Sequence, residues 1–266
     1  MAITTAVVPV AGLATRLRPL SRGVPKGLLP VAGRPVVQHI VDELEACGIE
    51  RVVLVTGRGR GAFAAHFADA RGPEVVCLDQ PRPLGLGDAI LRAAPALDGP
   101  FVIALGDALL GHGAPVRVVE RLAAAVQAGA GAAVAVEEVA AQDTSRYGVV
   151  VPAGDGDPFA IASVVEKPSP EAAPSRLAVA GRYAATPALL DALRTVAPDA
   201  GGEVQLADAL NALDGVVAVR LAPGEERLDV GTIPGYCAAF LEFALSDAEL
   251  GPPLRARAAT LLDGPG

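Results

Sequence analysis

The chain has 266 residues, enough to bury a large core, and 52% of them are hydrophobic although only 3% are aromatic and none is tryptophan. The formal net charge of −8 argues against a general nucleic-acid-binding protein. We see no signal peptide and no apolar stretch long enough to span a bilayer, so we expect a soluble cytoplasmic protein.

The first half of the chain predicts strands that alternate with helices. Strands are predicted over TTAVVPV, RVVLVT, EVVCLD, PFVIALGD and GAAVAVEEV. Helices are predicted over PVVQHIVDELEACG, 62–67, GLGDAILRAAPAL and PVRVVERLAAAVQAG. This alternation is typical of βαβ units, and it predicts an α/β, Rossmann-like, doubly wound and mainly parallel sheet with helices on both faces.

After residue 140 the strand-like segments follow one another more closely. Strands are predicted over YGVVVP, AIASVVEKP, LAVAGRYAAT, VVAVRLA and ERLDVGT. Helices are predicted over PALLDALRTV and EVQLADALNAL, with two more from about residue 233. No linker separates the two parts, so we expect one domain over 1–266 whose second half extends the same sheet.

Three cysteines, Cys47, Cys77 and Cys237, lie far apart and form no CxxC pair. We expect buried small apolar side chains in a reducing compartment rather than a disulfide or zinc framework. The three histidines are equally isolated, which argues against a histidine metal site.

The segment AGLATRLRPLSRGVPKGLLP, residues 11–30, places three arginines and Lys26 directly after the first predicted strand. Ligands of open parallel sheets bind beyond the carboxyl ends of the strands, and glycine-containing loops there present N–H groups to phosphate. The segment matches neither GxxxxGK[ST] nor GxGxxG. It therefore predicts a phosphate-binding loop of another type, although an ordinary solvated basic loop has the same composition.

Only two lysines, Lys26 and Lys167, stand against twenty arginines. A lysine kept in so arginine-rich a chain suggests a need for a compact ammonium group, because lysine and arginine bind phosphate differently. Chance is the alternative.

Asp107 ends a strand-like run directly after Gly106, and Asp229 stands in a similar setting two residues before Gly231. Two aspartates over the same sheet edge as a phosphate loop would hold Mg²⁺, which prefers carboxylate and phosphate oxygens. Either residue alone could equally be a capping or loop residue.

Several ordered blocks resemble the sugar-1-phosphate nucleotidyltransferases, and among them the bacterial UTP–glucose-1-phosphate uridylyltransferases. The blocks are VVPVAGLATRLRPLSRGVPKGLLPVAGRPVVQHIVDEL, GLGDAIL, YGVV, VVEKP, SRLAVAGRYAATPALLDAL, GGEVQLADAL and LDVGTIPGYCAAFLEFAL. They cover nearly the whole chain, and their combination is specific where any single block is weak. The resemblance implies the nucleotide-diphospho-sugar transferase fold and a homodimer or homotetramer.

The resemblance also implies a nucleotide-binding half over about 1–140. The residues that would contact the nucleoside are Ala11, Gly12, Gln80 and Gly85. Arg16 and Lys26 would bind the triphosphate, whose β and γ phosphates leave as pyrophosphate.

A sugar-phosphate-binding half is implied over about 141–232, followed by C-terminal helices over about 233–266. The residues that would hold the sugar are Gly148, Glu166 and Gly181. Lys167 would bind the sugar's phosphate, and Asp107 and Asp229 would coordinate Mg²⁺. Both lysines thus fall on phosphate-handling positions.

The implied reaction is Mg²⁺-dependent transfer of a nucleotidyl group from UTP to glucose 1-phosphate. Two positions depart from the family pattern, because Ala14 stands where the signature usually has glycine and Gly27 where the uridylyltransferase branch usually has an acidic residue. Three alternatives remain. They are a sibling enzyme that uses dTTP, ATP, GTP or a cyclitol phosphate, a catalytically silent ligand-binding relative, and a dinucleotide-dependent oxidoreductase, which the opening loop disfavours.

Overall fold

The computed structural model describes residues 2–12, 14–57, 59–111 and 117–262. Its strands are β1 (Thr5–Pro9), β2 (Pro30–Val31), β3 (Arg34–Pro35), β4 (Arg51–Thr56), β5 (Glu74–Asp79), β6 (Phe101–Ala104), β7 (Ala108–Leu110), β8 (Ala132–Glu138), β9 (Gly148–Pro152), β10 (Phe159–Glu166), β11 (Leu177–Ala185), β12 (Val216–Arg220) and β13 (Arg227–Asp229). Its α-helices are α1 (Val36–Glu45), α2 (Arg60–Phe67), α3 (Gly85–Ala93), α4 (Val118–Gln127), α5 (Ala188–Thr195), α6 (Leu206–Asn211), α7 (Ile233–Ser246) and α8 (Gly251–Leu262).

Nine of these strands form one mixed sheet in the order β5-β4-β1-β6-β11-β8-β12-β10-β9. The four strands β5, β4, β1 and β6 run parallel. Beyond them β11 is antiparallel to both β6 and β8, β12 is parallel to β8, and β10 and β9 are added antiparallel. The predicted α/β fold with one mixed sheet is confirmed, but the expectation of a mainly parallel sheet is wrong, because four pairings of the described sheet are parallel and five are antiparallel.

The sheet is covered by helices on both faces. Side chains alternate across a strand, so Val7 and Val8 of β1 belong to different hydrophobic clusters. Val8 packs in a cluster with Ile40 of α1 and Val119 of α4, and Val7 packs in a cluster with Ile90 of α3. Every one of these side chains is at most 1% exposed, which is why the strands read as continuous apolar runs.

A buried ion pair ties helix α1 to strand β11. Nε and Nη2 of Arg182 donate to the two carboxylate oxygens of Glu43 at 3.0 and 2.7 Å. The same guanidinium donates to the carbonyls of Gly181 and Ala108 at 3.1 and 3.0 Å. Each nitrogen of the Arg182 guanidinium has a hydrogen-bond acceptor, so the ion pair fixes the backbone at the point where β11 passes β7.

Two short pairings were not predicted. Strands β2 and β3 form a two-residue hairpin, and β7 and β13 form a separate antiparallel ribbon. The ribbon sets Asp229 opposite Ala108, and the Val230 N–H donates to the carbonyl of Asp107 at 3.0 Å. The predicted strand ERLDVGT therefore lies outside the main sheet, where it brings the two predicted metal aspartates together.

The expectation of three buried cysteines is wrong for Cys237, which is exposed on α7. Helix α7 lies at the surface, and its neighbours Phe240 and Leu241 are exposed as well. Cys47 and Cys77 are half-buried, and all three thiols are free. Among the described residues, no helix is both long and apolar enough to cross a membrane.

Candidate active site

Two adjoining cavities open beyond the carboxyl ends of the parallel strands. The loop cavity, of about 430 Å³, lies between the opening loop and the start of α3. The ribbon cavity, of about 290 Å³, lies between the β7–β13 ribbon and strands β9, β10 and β11. Arg16 and Asp107 are among the residues that line both.

All twelve residues predicted for the site line these cavities. Those on the loop cavity are Ala11, Gly12, Arg16, Lys26, Gln80, Gly85 and Asp107. Those on the ribbon cavity are Arg16, Asp107, Gly148, Glu166, Lys167, Gly181 and Asp229.

The opening loop leaves β1 and turns back over the sheet edge. Ala14 adopts the left-handed conformation with φ 49°, which explains why a glycine suits this position. The Ser21 hydroxyl donates to the Ala14 carbonyl at 2.8 Å and braces that turn. A Cβ built on Gly12 would meet nothing within 4 Å, so the backbone there faces open space.

Cations and carboxylates meet between the cavities at Gly231. Nζ of Lys26 lies 3.1 Å from Oδ2 of Asp107, and the lysine side chain is only 13% exposed. A Cβ built on Gly231 would lie 3.4 Å from both Arg16 Nη2 and Lys26 Nζ, and 2.6 Å from Asp229 Oδ1. Among the described residues Arg16 has no ion-pair partner. The junction therefore holds two cations, one of them uncommitted, beside two aspartates.

The far end of the loop cavity is built around Gln80. Its buried side chain donates from Nε2 to the Gly85 carbonyl at 3.0 Å and to Oδ2 of Asp88 at 2.9 Å. Gly85 has φ +92°, and a Cβ there would lie 2.8 Å from the Val204 carbonyl oxygen. Only glycine fits this position, which accounts for the glycine at the start of α3.

The ribbon cavity has a glycine and an ion pair on two neighbouring strands. Gly148 of β9 pairs with Glu166 of β10, and a Cβ on Gly148 would lie 3.3 Å from Glu166 Oε2. Lys167 has φ 43°, and its N–H donates to the Tyr147 carbonyl at 3.1 Å. Its Nζ lies 2.8 Å from Glu166 Oε1. A non-glycine residue held in this conformation indicates that the neighbouring structure fixes its backbone.

The family model for nucleotidyl transferases matches residues 5–245. The chain belongs to the nucleotidyl transferase family. A UTP–glucose-1-phosphate uridylyltransferase of Staphylococcus epidermidis is 33% identical over 280 residues, which cover 96% of this chain and 96% of that protein. A UTP-bound UGPase from Acinetobacter baumannii has a TM-score of 0.85 at 29% identity, covering 97% of this chain and 99% of that one. A UDP-glucose pyrophosphorylase complexed with UDP-glucose has a TM-score of 0.84 at 30% identity, covering 91% of this chain and 98% of that one.

The sequence did not single out two arginines of this nucleotidyl transferase that line its ribbon cavity. Arg146 donates from Nη2 to Asp229 at 2.8 Å. Arg227 donates to Glu137, and its guanidinium carbon lies 3.6 Å from the ring centroid of Tyr147. Twenty arginines make any one of them uninformative in sequence. Their adjacency to the YGVV and LDVGT blocks was the available signal.

The ribbon cavity of this nucleotidyl transferase is also lined by Tyr183 and Gly181. Burial raises the pKa of the Tyr183 phenol far above its ordinary value, and the charges of Glu166 and Asp107 raise it further, so the hydroxyl stays neutral at physiological pH. Gly181 has φ +78°, and a Cβ there would lie 3.2 Å from the Cβ of Ala108.

The two aspartates of this nucleotidyl transferase offer a suitable donor set for a hard divalent cation. Asp107 and Asp229 line the same cavity, with side chains 50% and 22% exposed. Within the ranges described, no group of three or more His, Cys, Asp or Glu side chains forms a fuller site. Two carboxylates, completed by water and substrate phosphate oxygens, suit Mg²⁺, which rarely takes an all-protein cage.

Proposed function

We propose that this protein transfers a uridylyl group from UTP to glucose 1-phosphate in a Mg²⁺-dependent reaction that gives UDP-glucose and pyrophosphate. The observation that carries the proposal is the shared wall of the two cavities. Arg16 lines both cavities. Lys26 lies beside it in the loop cavity, and Lys167 lines the ribbon cavity. A nucleoside triphosphate in the loop cavity and a sugar phosphate in the ribbon cavity would bring their phosphates together there.

The chemistry matches the residues present. An oxygen of the sugar phosphate attacks the α-phosphorus of the triphosphate, a new P–O bond forms, and the bond to the bridging oxygen of the β-phosphate breaks as pyrophosphate leaves. The attacking oxygen is already anionic near neutral pH, so no side-chain nucleophile or strong general base is required. Catalysis then depends on aligning two anions and neutralising charge.

In this proposal Arg16 and Lys26 bind the triphosphate, and Lys167 binds the sugar's phosphate. Asp107 and Asp229 would hold Mg²⁺, which when bound would neutralise phosphate charge and orient the oxygens. The low exposure of Lys26 strengthens its attraction to phosphate, because water screens it little.

The sugar pocket is proposed from the remaining ribbon-cavity residues. Glu166 would accept a hydrogen bond from a ring hydroxyl, which Gly148 leaves room to approach. Gly181 would meet the sugar through its backbone.

The loop cavity also bears on the choice of base. Ala11 and Gly12 would contact the nucleoside through the backbone, and Gly85 would lie against the base. Gln80 uses Nε2 to hold Gly85 and Asp88, which leaves Oε1 as an acceptor. An acceptor fits the N3–H of uracil or thymine and opposes the ring acceptors of adenine and cytosine.

We also propose a single catalytic domain over 1–266 that works as a homodimer or homotetramer. The sheet takes strands from both sides of residue 140, which supports one domain. Exposed apolar side chains on the C-terminal helices and the turn between them offer a surface for a second copy, namely Phe240, Leu241, Leu250, Leu254, Leu261 and Leu262. The cytoplasmic location stays a prediction.

Pyrophosphate release tests the proposal. The purified protein is assayed with glucose 1-phosphate and Mg²⁺, separately with UTP, dTTP, ATP, GTP and CTP, with and without chelator. We expect a strong preference for UTP and loss of turnover on chelation. A preference for another nucleotide would identify a sibling enzyme, whereas silence with all five followed by silence across a sugar-phosphate screen would indicate a binding protein.

Asp107→Asn and Asp229→Asn complete the test. Each keeps the shape of its side chain and removes one carboxylate charge. Full turnover by either variant at limiting Mg²⁺ would contradict the assigned metal site.

A further inference from the structure

Arg146 occupies a position between the proposed metal site and the proposed sugar-phosphate site. It ends the turn that precedes β9, and its side chain is 42% exposed in the ribbon cavity. Nη2 lies 2.8 Å from Oδ2 of Asp229, a residue 83 positions away in the chain. Nη1 makes a longer contact of 3.4 Å with Asp143. The interaction with Asp229 is thus the shorter and the tertiary one.

Both carboxylate oxygens of Asp229 are engaged. Oδ1 accepts the Gly231 N–H at 2.7 Å, and Oδ2 accepts from Arg146. Oδ2 of Asp107 similarly faces Lys26 at 3.1 Å. A divalent cation that takes an oxygen of Asp229 therefore competes with the guanidinium of Arg146, both for the lone pairs and through like-charge repulsion.

Of the other cations that line the ribbon cavity, two are already paired, whereas Arg16 is unpaired among the described residues and is assigned to the triphosphate by the proposed function. Lys167 pairs with Glu166 at 2.8 Å, and Arg227 pairs with Glu137 while lying over Tyr147. Arg146 itself retains only the weak contact with Asp143 and lies 5.2 Å from the Tyr147 centroid. Its five N–H donors would then suit a phosphate group, which guanidinium binds bidentately.

We propose that Arg146 is a phosphate-binding residue that divalent-cation binding releases from Asp229. The ion pair neutralises Asp229 when no ligand is bound. Cation binding at Asp229 frees the guanidinium for a substrate phosphate, and a phosphate that holds the guanidinium frees Asp229 for the cation. Metal and phosphate ligand therefore bind with positive coupling, and the coupling is reciprocal. This inference rests on the proposed function, because it assumes a phosphate ligand in the ribbon cavity.

The experiment measures Mn²⁺ affinity by electron paramagnetic resonance, with and without UDP-glucose, which cannot react in the absence of pyrophosphate. Wild type is compared with Arg146→Gln and Arg146→Lys. The matched control is Arg51→Gln, because Arg51 is 41% exposed, pairs with Glu74 at 2.7 Å, and lies at the amino end of β4, away from the cavities. A thermal melt establishes that each variant is folded.

Without UDP-glucose, we expect Arg146→Gln to bind Mn²⁺ several-fold more tightly than wild type. UDP-glucose should raise the Mn²⁺ affinity of wild type by about 5-fold or more, within the usual range of coupling between sites. The gain in Arg146→Gln should be less than half of the wild-type gain. Arg146→Lys should restore most of it, since an ammonium can pair with either anion, and Arg51→Gln should match wild type.

The proposal would be overturned if wild type and Arg146→Gln bound Mn²⁺ equally well without UDP-glucose. It would also be overturned if UDP-glucose raised the Mn²⁺ affinity of both proteins by the same factor. If wild type failed to bind UDP-glucose, the proposed function would fail instead. The ligand-free comparison would still decide whether Arg146 competes with a cation for Asp229.

Discussion

The loop cavity and the ribbon cavity share a wall but differ in how their charges are arranged. In the loop cavity Arg16 has no ion-pair partner among the described residues, and Gly12 faces open space. In the ribbon cavity Arg146, Lys167 and Arg227 each pair with a carboxylate. Arg16, which lines both cavities, is therefore the uncommitted cation at their junction, whereas Lys26 of the loop cavity and the three other cations of the ribbon cavity are already paired with carboxylates.

This difference indicates which internal ion pairs must be exchanged when a ligand binds. A triphosphate in the loop cavity can meet Arg16 without breaking an internal pair, although contact with Lys26 would compete with the Lys26–Asp107 pair. A sugar phosphate in the ribbon cavity must exchange at least the Lys167–Glu166 contact for contacts of its own. Exposed ion pairs of this kind contribute little free energy, so breaking one costs little. The exchange favours a ligand that supplies both an anionic group for Lys167 and hydroxyl groups for Glu166.

The largest expected effect is at the junction. Lys26→Ala removes the least exposed phosphate-facing cation, and we expect kcat/KM for pyrophosphate release to fall by about 10²–10³, as for other preorganised charged groups. Arg51→Ala, far from both cavities, should leave the value within about twofold of wild type, like most surface substitutions. Wild-type turnover by Lys26→Ala would show that the cation at the junction of the two cavities does not contribute to the reaction.

The next effect should separate the two cavities. Lys167→Ala would remove the charge-assisted contact that we propose to the sugar's phosphate, worth about 1.5–3 kcal/mol, or roughly 10- to 100-fold in binding. We expect the KM for glucose 1-phosphate to rise by that factor while the affinity for UTP alone, measured by calorimetry, stays within about twofold. An equal loss for both substrates would show that the cavities do not act separately.

A smaller effect concerns the backbone of the loop cavity. Gly85→Ala places a Cβ 2.8 Å from the Val204 carbonyl at φ +92°, so we expect a higher KM for the nucleotide and a loss of about 1–3 kcal/mol in the free energy of unfolding. The matched change Gly61→Ala lies in α2 with nothing within 4 Å of its Cβ, and should raise the free energy of unfolding by up to about 1 kcal/mol. Urea titration measures both values, and similar effects of the two changes would argue against the close approach at Gly85.

The smallest effect is at Ala14. Its left-handed conformation costs about 1–2 kcal/mol, and Ala14→Gly would remove this strain while adding about 0.5–1 kcal/mol of unfolded-state entropy. We expect the free energy of unfolding to rise by at most about 1.5 kcal/mol and the nucleotide KM to change little. A marked loss of stability would mean that the Ala14 methyl makes a packing contact that outweighs the strain.

Much of the fold could be predicted because its elements are long and strongly patterned. The continuous apolar run at β1 and the helical period of the apolar face of α1, from Val36 to Leu44, are both visible in the sequence. The strand at β13 was predicted, but its pairing with β7 was not, because β7 has only three residues and shows no period and because the pairing joins distant parts of the chain. Cys237 was misjudged because its residue type favours burial while its helix lies at the surface.

The candidate site, like the fold, has one part that the sequence predicts and another that it does not. Sequence alone determined which residue types stand beside which strands. The lysines, the aspartates and the glycines could be located because their chemistry suits phosphate, metal or close backbone approach and because they fall in recognisable sequence blocks. Only the tertiary structure decided which charges neutralise each other. Arg146 and Asp229 lie 83 positions apart, and no local pattern relates them. Their pairing depends on the ribbon that places Asp229 beside Asp107, and long-range pairing of this kind is a property of the folded chain.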